Sequence, residues 1–101
     1  MVNTYKIIWS DEALNNLKSI IAYLESRWSK KEISKFANLL DKNVNLIKDN
    51  PLLFPKSNRR KEYRKAVISK QISLYYMIDN KSITIITLWD NRQNPRKLKI
   101  K

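Results

Sequence analysis

The side chains best suited to chemistry in this sequence are arginines and lysines gathered in two clusters. The first, between positions 56 and 70, holds seven basic residues against one acidic residue, and the second, from position 92 onward, holds five against none. Guanidinium and ammonium groups bind phosphates and carboxylates, so a net charge of +12 favours a polyanion or a strongly acidic protein as partner. The clusters comprise Lys56, Arg59, Arg60, Lys61, Arg64, Lys65, Lys70 and Arg92, Arg96, Lys97, Lys99, Lys101.

Residue types that are missing exclude several kinds of chemistry. The sequence has no Cys and no His, which excludes thiolate nucleophiles, histidine bases and zinc sites. We expect no metal and no cofactor. No apolar stretch approaches the roughly 18 residues of a membrane span, and no signal peptide is visible before Asp11 and Glu12. We therefore expect a cytoplasmic protein without a membrane partner.

Two strands around a tight turn should form the centre of a sheet. Between Ile72 and Ile78 apolar residues alternate with others, which predicts a strand with one well-buried face. Ser82–Trp89 carries β-branched residues or Leu at nearly every position, which predicts a strand covered on both faces. Asp79 and Asn80 tolerate the left-handed backbone that a tight turn between these strands requires.

The first half of the chain predicts a strand and two helices. Thr4–Trp9 is a strand, and Ser10 caps a first helix with acidic residues in its first turn. The second helix begins with a capping box at Ser29–Glu32 and ends at Asn50-Pro51, because proline cannot continue a helix. Apolar residues recur at three- and four-residue spacing in both helices, at Ala13/Leu14, Leu17, Ile20/Ile21, Leu24, Trp28 and Ile33, Phe36/Ala37, Leu40, Val44, Ile47.

A connector and a short strand complete the order. Leu52-Leu53-Phe54 in the connector is expected to tuck under the helices, and Arg64–Ser69 is expected to be a strand. The order is therefore β-α-α-β-β-β, an α+β fold whose antiparallel-rich sheet is covered on one face by a helical hairpin. We expect one domain over residues 1–101, with the first strand beside the last.

Five segments in this order resemble toxins of the RelE/ParE superfamily, the toxic half of bacterial type II toxin–antitoxin pairs. They are KIIWSDEALNNLKSIIAYL, IKDNPLLFP, YRKAVIS, ISLYYMID and LWDNRQNP, which together span nearly the whole chain. The two long helices resemble the ParE branch more than the compact RelE nucleases.

The resemblance implies the same fold and an activity that arrests growth. ParE-type members poison DNA gyrase, whereas RelE-type members cut mRNA in the ribosomal A site. A cognate acidic antitoxin neutralises either kind. Gyrase is the preferred target here and the ribosome with its mRNA is the alternative.

The resemblance also implies candidate site residues. Arg64 and Arg92 match the family's recurrent sheet and last-strand arginines, and Lys56 and Lys61 lie in the loop where basic residues assist. The tail lacks the Tyr or His that such nucleases often use, which favours a non-enzymatic toxin. Binding of a target or antitoxin is assigned to Arg59, Arg60, Lys61, Arg64, Lys65, Trp89 and Arg92.

Each of these assignments has a simpler alternative. Arg64 and Arg92 would serve equally as charges that protect an open sheet edge, and Trp89 would serve as the end of the core. A basic nucleic-acid-binding module without toxicity is a further alternative, although no helix-turn-helix, RNP-type or zinc pattern is present. A small antitoxin gene beside this one would separate the toxin from such a module.

Overall fold

In the computed structural model, which describes residues 5–27, 29–58 and 60–90, the chain folds in the predicted order. The described elements are β1 (Lys6–Trp9), α1 (Asp11–Arg27), α2 (Lys30–Asp49), β2 (Tyr63–Val67), β3 (Ile72–Asp79) and β4 (Ser82–Asp90). Thr4 and Trp28, which the sequence placed in the first strand and the first helix, lie outside the described residues.

The four strands form one mixed sheet in the order β1-β4-β3-β2. The pairs β2–β3 and β3–β4 are antiparallel, whereas β1 runs parallel to β4, since the two helices carry the chain back before the later strands begin. The predicted position of the first strand beside the last is therefore confirmed. Asn80, at φ 52°, has the left-handed backbone expected in the β3–β4 turn.

The core lies between one face of the sheet and the helical hairpin. Its buried side chains come from both helices, from β2, β3 and β4, and from the β2–β3 turn: Ala13, Leu24, Phe36, Leu40, Ile47, Ala66, Ile68, Ile72, Leu74, Tyr76, Ile83, Ile85 and Leu88. The α+β fold with helices on one face is thus as predicted. The expectation that β3 has only one well-buried face is wrong, because Ser73 and Tyr75 on its other face are buried too. The alternating pattern shows only which side chains are apolar. Because β3 is a central strand with a neighbour on each side, polar side chains on its other face are also shielded from solvent.

Helix α1 begins against the edge of β4. The Ser10 hydroxyl accepts the Ala13 N–H at 3.0 Å and donates to the Ile86 carbonyl at 2.7 Å, which confirms Ser10 as the helix cap. Ala13 is fully buried where the helix approaches the sheet, while Leu14 points outward and is exposed. Of the predicted apolar pair, only the smaller residue therefore faces the core.

Asn16 of α1 forms hydrogen bonds with the part of β4 that lies beyond the end of β1. The register ends at Trp9 opposite Ile85, after which β1 gives way to the helix. The Asn16 side-chain carbonyl then accepts the Leu88 N–H at 3.2 Å and the Thr87 hydroxyl at 2.7 Å. A side chain from the helix thus replaces a strand partner at this edge.

Helix α2 starts at the predicted place but without the predicted capping box. Ser29 is the N-cap, yet within the described chain its hydroxyl makes no capping hydrogen bond. Its backbone carbonyl accepts the N–H groups of Glu32 and Ile33 at 3.1 and 3.2 Å, which tightens the first turn. The helix ends at Asp49, before Pro51, as expected.

The boundaries of β2 differ from the prediction by one or two residues. The strand covers Tyr63–Val67 and not Arg64–Ser69, because Ser69 closes the turn into β3. Its hydroxyl oxygen accepts the N–H groups of Gln71 and Ile72 at 3.3 and 3.2 Å. Among the described residues, neither helix is long and apolar enough to cross a membrane.

The two serine caps allow a matched test of this fold. Ser10→Ala removes the bond to Ala13 and leaves the Ile86 carbonyl without its donor, so we expect a loss of about 1–2 kcal/mol in the free energy of unfolding. Ser29→Ala removes a hydroxyl that makes no capping hydrogen bond, so it should change the free energy of unfolding by less than about 0.5 kcal/mol. Urea denaturation of both variants measures the difference, and equal losses would contradict the assigned role of Ser10.

Candidate functional site

The basic connector, which we define as residues 55–62 between the end of α2 and β2, is fixed along the outer edge of β2. Ser57 N–H donates to the Tyr63 carbonyl at 2.7 Å, and Lys65 N–H donates to the Pro55 carbonyl at 3.0 Å. These bonds place Lys56 directly opposite Arg64 in an isolated antiparallel bridge. The first predicted cluster is therefore not a free loop, since part of it continues the sheet beyond β2.

Arg64 is half-buried at this edge and is bound to the connector. Its Nη1 donates to the Phe54 carbonyl at 2.6 Å, so one of the five N–H donors of the guanidinium stabilises the fold. The residue is the register partner of Tyr76 and lies on the helix-covered side of the sheet. The structure thus places a predicted site cation where it also holds the connector.

Tyr76 closes the interior beside Arg64. Its fully buried hydroxyl donates to the Pro51 carbonyl at 2.6 Å, and its ring meets that of Phe54 edge to face at 6.4 Å between centroids. Burial raises the pKa of Tyr76 to about 12, and the nearby charge of Arg64 opposes this rise. A hydroxyl held in this way does not exchange protons with a bound substrate near neutral pH.

Arg60, Lys56 and Lys61 are the exposed cations of the connector. Arg60 forms a salt bridge with Glu62 at 2.5 Å, and its guanidinium lies 5.6 Å from the centroid of the Tyr63 ring. The hydrogen bond that Arg60 donates to Glu62 raises the pKa of Arg60. Contacts of this exposed kind contribute little to stability, but they hold the cation beside the start of β2.

Lys65 and Trp89, the remaining predicted residues within the described chain, lie on the face of the sheet opposite to Arg64. Lys65 is the register partner of Tyr75, and Trp89 of Ser73, so both lie on the face away from the helices and opposite to Arg64. They lie on either side of β3 and are offset by two residues along it, which places them roughly 12 Å apart at the usual strand spacings. Trp89 is half-buried and lies outside the core cluster.

Two of the predicted site residues, Arg59 and Arg92, lie outside the described residues. The structure therefore brings together Lys56, Arg60, Lys61 and Arg64 along β2, with Lys65 on the opposite face. Within residues 5–27, 29–58 and 60–90, no group of three or more Asp or Glu side chains is arranged to hold a metal ion. The chemistry that this arrangement offers is anion binding.

The expectation that Leu52-Leu53-Phe54 tucks under the helices is wrong for both leucines. Leu52 is 66% exposed and Leu53 is 53% exposed, whereas Phe54 is half-buried against Tyr76. Pro51 takes the buried position at the end of α2, which turns the next two side chains outward. The prolines at 51 and 55 signalled a constrained connector, but not which of its side chains would be buried.

An open groove lies beside the helical hairpin and was not predicted from the sequence. It has a volume of about 940 Å³ and separates α1 and α2 from the β2–β3 turn. Its walls are mostly apolar, with Lys35 and Lys70 at the polar positions along with Glu32 and Asp90. The main apolar walls are Ile20, Tyr23, Leu24, Phe36, Leu39 and Ile72. The size and character of the groove suit an apolar protein segment.

Comparison with protein families gives a match over residues 7–95 to the ParE toxin of the type II toxin-antitoxin system, parDE. No curated protein sequence matches the chain.

Several solved structures share the fold at low sequence identity. The chromosomal ParDE toxin–antitoxin system of P. aeruginosa matches at 12% identity and a TM-score of 0.74, covering 87% of this chain and 97% of that one. The DinJ–YafQ toxin–antitoxin complex of E. coli matches at 17% identity and a TM-score of 0.61, covering 88% and 94%. The RelBE2 toxin–antitoxin complex of Mycobacterium tuberculosis matches at 18% identity and a TM-score of 0.63, covering 92% of this chain and 97% of that one.

The role of Tyr76 gives a test with a defined pH window. Tyr76→Phe leaves the buried Pro51 carbonyl without its donor, so the variant should be less stable than the wild type by about 1–3 kcal/mol at pH 8. The folded-state pKa of about 12 exceeds the ordinary value of 10.0, so this stabilisation is complete below pH 10 and is lost as the pH rises toward 12. Denaturant unfolding across this range should therefore show the gap closing.

Tyr63→Phe is the matched control, since Tyr63 is half-buried on the neighbouring strand. Its free energy of unfolding at pH 8 should stay closer to the wild-type value than that of Tyr76→Phe, because the Tyr63 side chain is not fully buried. A gap between wild type and Tyr76→Phe that stays constant from pH 8 to 12 would contradict the assigned role of the hydroxyl.

Proposed function

Because this chain belongs to the ParE toxin family of type II toxin–antitoxin systems, we propose that it arrests bacterial growth by poisoning DNA gyrase. The observation that carries the proposal is the family match over residues 7–95, which spans both helices and all four strands. Gyrase poisoning is the activity that the ParE branch implies. Both gyrase and ribosomes are cytoplasmic, so the proposal places the toxin there.

The chemistry of the described site supports a binding protein more than a nuclease. Metal-independent RNA cleavage needs cations around the phosphate and a group that moves protons. The site supplies the cations, but Tyr76 is sealed in the core with a pKa raised to about 12. Arg64 already donates to the Phe54 carbonyl.

A ribosome-dependent mRNA endonuclease is the second candidate. One observation favours it, namely that Lys56 and Arg64 face each other across the bridge beside β2, with Lys61 in the same connector. Two cations on residues paired across an antiparallel bridge suit the binding of a phosphodiester. On this alternative Arg92 supplies a further charge to the phosphate.

The proposed partner is an acidic antitoxin that occupies the groove beside the helical hairpin. The groove offers apolar walls from α1 and α2, and the basic connector lies on the outer edge of β2. An antitoxin segment with an apolar stripe and acidic flanks would match both surfaces. Arg60, Lys61, Lys65 and Trp89, with Arg59 and Arg92, are proposed as contacts with the antitoxin or the target.

The activity is tested by inducing the chain alone in a bacterial host. We expect growth to stop, with loss of plasmid supercoiling or a DNA-damage response before protein synthesis falls. Supercoiling assays with purified gyrase and pulse-labelling of new protein measure the order of events.

If translation stops first and mRNA is cut at codon boundaries, the endonuclease alternative replaces gyrase poisoning. In that case the Arg64→Ala, Arg92→Ala double variant should abolish cleavage. Arg64→Lys keeps the charge but changes the hydrogen-bonding geometry, so it separates loss of the cation from loss of the Phe54 bond.

Charge placement predicts how the antitoxin is captured. Lys56→Glu with Lys61→Glu should slow association by about tenfold or more at low salt, because charge steering acts on the on-rate. The difference from wild type should shrink at moderate salt, where charges are screened over about 8 Å. Stopped-flow association with the product of the adjacent gene measures both effects.

The matched control makes the same change in net charge elsewhere. Lys18→Glu with Lys42→Glu alters two exposed lysines on α1 and α2 and leaves the connector intact. The on-rate of this control variant for the antitoxin should fall much less than that of Lys56→Glu with Lys61→Glu. Equal effects of the two double variants would show that only net charge matters and that the connector has no special role.

A further inference from the structure

The turn after α2 exposes two large apolar side chains that the rest of the fold does not use. Leu52 and Leu53 are 66% and 53% exposed and lie side by side. Burial of leucine side chains stabilises a fold, and this fold leaves more than half of each of these two side chains exposed to solvent. We call residues Asn50–Pro55 the leucine turn.

The leucine turn is held in one conformation on both sides of the exposed pair. Before the pair, Asn50 N–H donates to the Leu46 carbonyl at 2.9 Å, and the Pro51 carbonyl accepts the buried Tyr76 hydroxyl. Leu53 N–H then donates back to the Asn50 carbonyl at 3.0 Å.

After the pair, the anchoring continues into the sheet. The Phe54 carbonyl accepts Arg64 Nη1, and the Pro55 carbonyl accepts Lys65 N–H. Side chains presented on such a fixed backbone lose little further conformational freedom on binding, which favours affinity. The exposed leucines are therefore preorganised for contact.

The chemistry of the turn selects a protein as its partner. Single-stranded nucleic acids are bound through aromatic stacking and cations, and aliphatic side chains offer neither. Two exposed leucines on a turn project outward, so their complement is a concave apolar cleft in a folded protein. An extended segment would fit a groove better.

The charged residues around the turn define the rim of that cleft. Lys48 precedes the turn and Lys56 follows it, with Asp49 between Lys48 and the turn. Lys61 adds a further exposed cation on the connector. A cleft with an apolar floor and a predominantly acidic rim is complementary to this surface.

We propose that the leucine turn is the element by which this toxin docks into an apolar, acid-rimmed cleft of its folded protein target. The inference rests on the proposed function, because it requires a protein target. It adds a surface separate from the groove assigned to the antitoxin, since none of the residues lining that groove belongs to the turn. Loss of the leucines should therefore remove toxicity and spare neutralisation.

The test is the double variant Leu52→Ser, Leu53→Ser, with purified bacterial DNA gyrase as the probe. We expect gyrase binding to weaken by about tenfold or more and growth arrest to be lost on induction. Binding to the product of the adjacent antitoxin gene should stay within about threefold of wild type. The unfolding midpoint should not fall, because both side chains are already exposed.

The matched control replaces two other exposed apolar residues. Leu14→Ser with Val67→Ser alters side chains that are 42% and 57% exposed on α1 and β2. This variant should bind gyrase and arrest growth like the wild type. A comparable loss of gyrase binding in the control would overturn the assignment of the turn.

Other outcomes overturn the proposal in recognisable ways. A double variant that binds gyrase normally shows that the turn is not used, and one that loses only the antitoxin shows that the turn belongs to that interface. A wild-type dimer that the double variant converts to a monomer assigns the turn to self-association.

Failure of the proposed function is read from the wild type alone. If the wild type arrests growth without binding or inhibiting gyrase, gyrase poisoning is wrong, and continued growth arrest by the double variant would then overturn the leucine-turn proposal as well. If the double variant loses growth arrest while the control keeps it, the turn stands as the docking element for another protein. A wild type that neither arrests growth nor binds gyrase overturns both.

Discussion

The hydrogen bond from the Tyr76 hydroxyl to the Pro51 carbonyl joins the centre of the sheet to the end of the helical hairpin. Proline provides a carbonyl acceptor, and burial makes an unpaired carbonyl costly, so this donor holds the end of α2 against the sheet. The Phe54 ring packs edge-on against the same tyrosine, and Arg64 binds the Phe54 carbonyl. The path of the connector, and with it the position of the basic residues, follows from this one buried contact.

The start of the hairpin is fixed by a second junction at the opposite side of the sheet. β1 has only four residues, and beyond Trp9 the edge of β4 would be left without a partner. Ser10, the cap of α1, donates to the Ile86 carbonyl, and Asn16 in α1 accepts the Leu88 N–H. Because the hairpin is bonded to the sheet at both its start and its end, the groove beside it has defined walls before any partner arrives.

A toxin that is neutralised by one protein and acts on another needs surfaces for both. The fold offers an apolar groove beside α1 and α2, a basic connector along β2, and the exposed leucine turn between them in sequence. The connector and the leucine turn are held by the same group of bonds around Tyr76 and Arg64. In the proposed function, the residues that stabilise the fold therefore also set the spacing between the basic connector and the leucine turn.

Local patterns in the sequence determined the order of elements, the cap at Ser10, the turn at Asn80 and the end of α2 before Pro51, because each depends on residues only a few positions apart. The charge of the connector was equally plain from composition. Tertiary structure alone decided that Leu52 and Leu53 face outward, that Arg64 lies on the helix-covered face of the sheet, and that Asn16 completes the edge of β4. Each of these depends on contacts between residues distant in the chain, such as Tyr76 with Pro51, 25 positions apart. The conformational propensity of a short segment does not specify such a hydrogen-bond partner. The partner is decided only when the helices pack on the sheet, because the polar groups buried there must then be paired.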